Sequence, residues 1–64
     1  MMNDIINIVL NYHEYLRIEF SWGSIEKADS GVIFVNTLNK RVGKIENNNK
    51  ERLLKLVEKT INRE

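Results

Sequence analysis

Apolar residues in the first part of the chain recur at helical spacing. Ile5, Ile6, Val9, Leu10, Tyr12 and Leu16 follow the i, i+3, i+4 rhythm, which predicts a helix from Asn3 to about His13. Asn3 or Asp4 supplies an N-cap, or negative charge at the positive end of the helix. Asn3, Asn7, Asn11 and Glu14 share the opposite face. The apolar sector spans close to half the circumference. Such a helix packs against two elements or leaves part of its stripe for a partner.

From Tyr15 to Trp22 the period switches to two. Leu16, Ile18, Phe20 and Trp22 alternate with Arg17, Glu19 and Ser21, the pattern of a half-buried strand. Gly23 to Gly31, ending in Asp-Ser-Gly, reads as a loop. Val32 to Asn36 holds a continuous apolar run and reads as a central strand, and Thr37 to Lys40 turns the chain. Arg41 to Glu46 is a weaker third strand. Val42 and Ile45 are three apart and share a face only if a bulge intervenes, with Gly43 as its natural site. Asn47-Asn48-Asn49 closes the sheet. Asn48 and Glu51 stand at capping-box spacing, and Leu53, Leu54, Val57 and Ile61 form the stripe of a second helix. The expected fold is α+β in the order α-β-β-β-α, a three-stranded antiparallel meander with both terminal helices on one face. Residues 1–64 form a single small domain.

Size sharpens this picture. A 64-residue chain buries only about 60% of the surface its unfolded form exposes, and the absence of cysteine removes disulfides and thiol-held zinc as staples. Without a staple, a homodimer or a bound partner is expected, with its seam on the Ile6/Leu10 side of the first helix or at a strand edge. No run approaches the roughly 20 apolar residues of a membrane span. The start Met1-Met2-Asn3-Asp4 carries no basic n-region, which argues against a signal peptide. A cysteine-free chain fits the cytoplasm. Asn, Ile and Lys supply 23 of the 64 residues and Ala, Gly and Pro only four, a bias toward A/T-rich codons that suits a low-GC Gram-positive bacterium, its phages or an archaeal virus.

The parts of a catalytic site are missing. The chain has one His, no Cys and two Asp, and neither a phosphate-binding glycine loop nor a metalloprotease or nucleophile-elbow motif. His13 reads as a packed or capping residue. No enzyme activity, cofactor or metal is expected. Charge is more informative. Residues 1–32 carry two basic and five acidic side chains, and residues 33–64 carry eight basic and four acidic. On the second helix Arg52, Lys55, Lys59 and Arg63 fall within an arc of about 80°, opposite the apolar stripe, along roughly 16 Å of axis. Lys40, Arg41 and Lys44 add charge near the preceding turn. The stripe is open to three readings: a solvated face with Glu51 and Lys55 as an ordinary i,i+4 pair, a track for phosphates, or a dock for an acidic protein. Phe20 and Phe34 read as core. Trp22, beside Gly23 at a strand end, serves as a core lid or as an interface anchor.

The α-β-β-β-α order at this length resembles the double-stranded RNA-binding domain, from about Ile5 to Ile61. In that family a lysine cluster opening the second helix lies across RNA phosphates. Lys50, Arg52 and Lys55 stand at about that place, and Gly43 matches a glycine of its third strand. The resemblance implies duplex recognition. The chain also resembles small phage anti-CRISPR proteins that inhibit a CRISPR nuclease. This likeness covers Asn3 to about Ile61 and is clearest in Val32-Ile33-Phe34-Val35-Asn36, followed by a polar turn and a third strand. That family mimics DNA with an acid-rich turn. The equivalent Leu38-Asn39-Lys40-Arg41 is basic, so an inhibitor built on this chain uses another surface. The expected function is that of a non-enzymatic binding module, phage or mobile-element encoded and cytoplasmic, which occludes a host protein such as a CRISPR-Cas component. Direct nucleic-acid binding is the alternative. The expected partner-binding residues are Arg52, Lys55, Lys59, Arg63, Lys40, Arg41 and Trp22.

Overall fold

The helical and alternating patterns resolve into α1 (Met2–Asn11), β1 (Leu16–Phe20), β2 (Gly23–Lys27), β3 (Ile33–Thr37), β4 (Arg41–Ile45) and α2 (Lys50–Ile61). These elements come from a computed structural model that describes residues 2–62. The class is α+β, and an antiparallel meander carries both helices on one face, as expected. The sheet has four strands in the order β1-β2-β3-β4, not three. The added strand is β2, within the stretch expected to be a loop. Its sequence Gly-Ser-Ile-Glu-Lys holds one apolar residue, so it shows no alternation. Each of its polar residues is instead satisfied by something distant in the chain.

Pairing sets Ile18 opposite Ile25, Leu16 opposite Lys27 and Phe20 opposite Gly23. Ile25 then faces Val35, Lys27 faces Ile33, and Ile33 faces Ile45. Paired residues share a face, so these side chains meet the helices. The buried core joins Ile25, Ile33, Val35 and Ile45 with Ile6 and Val9 from α1 and Leu53 and Val57 from α2. Phe20 and Trp22 pack against it, their rings stacked at 4.8 Å. Trp22 is thus the lid of one end of the core. Phe34 does not join the core, against expectation. It is paired with Glu26, which puts it on the open face of the sheet, where the Arg41 guanidinium covers it at 3.8 Å.

Two residues make β2 possible. Ser21 and Trp22 form a two-residue turn without positive φ, so the distortion falls on Gly23. Gly23 adopts φ +154°, and a Cβ there would sit 1.9 Å from the Asn36 carbonyl oxygen. Only glycine fits. At the other end, Lys27 is 4% exposed, and its Nζ donates to the carbonyls of Val9 (2.9 Å), Leu10 (3.1 Å) and Tyr12 (2.6 Å). The last turn of α1 has no basic residue of its own. Lys27 matches the three ammonium protons to carbonyls at the negative end of that helix.

The N-cap of α2 is Asn49, one residue beyond the expected Asn48. Its side chain accepts from the Arg52 N–H at 3.2 Å. Asn48 takes φ 53° instead, a left-handed conformation that Asn tolerates, and its amide donates to the Leu10 carbonyl at 3.5 Å. A bulge does fall in β4. Val35 faces Gly43 while Asn36 faces Arg41, so Val42 is the extra residue and Gly43 and Ile45 keep one face.

Candidate interaction groove between β4 and α2

Leu53 and Val57 turn one side of α2 into the core, and helical spacing then carries Arg52, Lys55, Leu56 and Lys59 toward the β4 edge. With Gly43, Lys44 and Ile45 they line an open groove of about 360 Å³. Gly43 shapes its floor. A Cβ at that position would stand 3.1 Å and 3.3 Å from the two terminal carbons of Leu56, so its absence lets α2 sit close against the strand. The result is a strip of apolar floor under a cationic rim.

Among the described residues, Arg52, Lys55 and Lys59 make no ion pair. The expected pair between Glu51 and Lys55 does not form. Lys44 meets Glu46 at 3.0 Å, with both side chains more than half exposed, a contact that water and salt weaken readily. Arg52, Lys55 and Lys59 are therefore left open to an anionic ligand.

The other expected partner-binding residues lie elsewhere. Arg41 is committed to the open face of the sheet, donating to the Asn36 side-chain oxygen at 3.1 Å and to Glu26 Oε1 at 3.0 Å. Lys40 sits in the β3–β4 turn, its backbone tied to Thr37, and is not part of the groove lining. Trp22 is the core lid described above. Arg63 lies outside the described residues. The residues missed from sequence are Gly43, Ile45 and Leu56. Each follows an apolar or small-residue pattern that signals packing only. His13 is exposed in the link after α1. Ile6 is fully buried, so the expected seam for a second copy cannot include it.

The open face forms a contrasting, saturated network. Glu26 accepts from the Tyr15 hydroxyl at 3.0 Å and pairs with Arg17 at 3.6 Å and Arg41 at 3.0 Å. Asn36 donates to the buried Ser24 hydroxyl at 3.0 Å. The hydrogen bond to Glu26, then burial and the charge of that carboxylate, raise the Tyr15 phenol above its ordinary 10.0. Among the described residues, no group of three His, Asp or Glu side chains could hold a metal ion, and no helix is long and apolar enough to cross a membrane. Compared with family models, with curated proteins and with solved structures, the chain matches none.

Proposed function

We propose that this chain is a non-enzymatic binding module that docks an acidic protein surface in the β4–α2 groove and occludes it. The observation that carries this reading is the convergence of Arg52, Lys55 and Lys59, without ion-pair partners among the described residues, on an apolar floor made by Gly43 and Leu56. A phosphate backbone needs the charges alone. A polypeptide also uses the apolar strip and the edge of the strand. Its sharpest form is a cytoplasmic, phage-encoded inhibitor of a host nuclease, in the manner of anti-CRISPR proteins. The four-stranded sheet has one strand more than the order on which that likeness and the RNA-binding one rest, so the groove supports the reading and the likeness adds little.

The test is affinity capture from bacterial lysate, with and without nuclease treatment, comparing the native chain with a K55Q/K59Q variant. A protein partner that survives nuclease and is lost from the variant is the expected result. If nuclease removes every captured partner, the chain binds nucleic acid instead.

A further inference from the structure

From the groove and the backbone of β4, we propose that the occupant binds as an added antiparallel strand: an extended acidic segment pairs with the outer edge of β4 and points its carboxylates at α2. This rests on the acidic-protein reading above and specifies how such a partner is held.

The backbone pattern follows from one bond. Ala28 N–H donates to the Val32 carbonyl at 2.9 Å, so Ala28 and Val32 form a hydrogen-bonded pair just beyond the β2–β3 ladder. Such pairs alternate with non-bonded ones in an antiparallel ladder. Counting along β3, Phe34 bonds toward β2, whereas Ile33 and Val35 bond toward β4. Gly43 and Ile45, opposite Val35 and Ile33, therefore spend their backbone groups inward. Lys44, opposite Phe34, directs its N–H and C=O outward. β4 is a terminal strand of the sheet, so those two groups have no strand to meet. Strand addition uses such an edge.

Parity then fixes the chemistry. A residue of the added strand that bonds to Lys44 shares the face of the Lys44 side chain, which is the open face. Its two neighbours lie beside Gly43 and Ile45 and point into the groove, toward Leu56 and the cations Arg52, Lys55 and Lys59. Charge complementarity asks for carboxylates at those alternate positions. The bulge at Val42 ends the regular edge on one side, which limits the contact to a short segment. Binding of this kind is modest in area and sensitive to salt.

A synthetic peptide of alternating glutamate and threonine is the probe, titrated into the native chain and followed by amide chemical shifts and fluorescence anisotropy. The expected result is salt-sensitive binding with the largest amide shift at Lys44. N-methylation at the threonine positions, which face β4, weakens binding by about tenfold or more through the lost backbone hydrogen bonds. N-methylation at the glutamate positions, whose N–H groups point away, leaves it nearly unchanged. If both methylated peptides bind like the parent, strand addition is overturned and electrostatic docking stands. If the parent peptide fails to bind, both readings fall. A duplex oligonucleotide that binds in its place then identifies the groove as a phosphate track.

Discussion

Around β2, charged side chains are consumed by the fold; along α2, they are left available. Lys27 satisfies three carbonyls at the end of α1, and Glu26 gathers Tyr15, Arg17 and Arg41. Among the described residues, Arg52, Lys55 and Lys59 have no such partners, and they line a groove. The same residue types thus do opposite work in one small domain. Burial separates Lys27, 4% exposed, from the groove lysines. A buried ammonium without matched acceptors is prohibitively costly, whereas an exposed one is almost free in stability terms. Charge that the core does not require can be placed for a ligand.

The comparison breaks most severely at Gly23. A G23A substitution forces a Cβ against the Asn36 carbonyl and costs about 3 kcal/mol or more, comparable to the whole stability of a domain this small. Urea unfolding measures it, and a loss under about 1 kcal/mol would show that β2 does not need this close approach. K27M comes next. It leaves the carbonyls of Val9, Leu10 and Tyr12 without their donor, at an expected cost of about 2–3 kcal/mol, with faster amide exchange in the last turn of α1. G43A should cost about 1 kcal/mol, because Leu56 is a flexible side chain that can give way. It should weaken ligand binding more than stability by raising the groove floor. K55Q/K59Q should change stability by no more than about 0.5 kcal/mol while removing partner binding. A larger loss of stability would place these lysines with Lys27 as structural groups.

The finest test is the Tyr15 phenol. Its folded pKa is raised above 10.0, first by the Glu26 hydrogen bond. The neutral phenol is therefore favoured by folding. Its contribution is fully present below pH 10 and is lost as pH rises through the folded value. Ultraviolet titration should show one tyrosine ionising late, and E26Q should return it toward its ordinary value. An unchanged titration in E26Q would remove Glu26 as the cause.

The elements visible in the sequence were those whose residues solve their own burial problem locally. The stripes of α1 and α2, the alternation of Leu16, Ile18 and Phe20, the apolar run of β3 and the bulge near Gly43 all express a period that water enforces on any chain. The cationic stripe on α2 was legible for the same reason, since it lies opposite Leu53 and Val57. Whether Glu51 would neutralise Lys55 was not, because an exposed pair is worth too little to be dictated by spacing.

Sequence alone therefore determined the fold class, both helices, three of the strands and the side of α2 on which the cations lie. Tertiary structure alone decided β2, the exile of Phe34 to the open face, the cap on α1 and the groove. Each of these depends on partners distant in the chain: Lys27 on Val9, Leu10 and Tyr12, Gly23 on Asn36, Phe34 on Arg41, and Gly43 on Leu56. A buried polar residue carries no periodic signal. It becomes acceptable in a strand only once the groups that satisfy it have been brought within hydrogen-bonding distance.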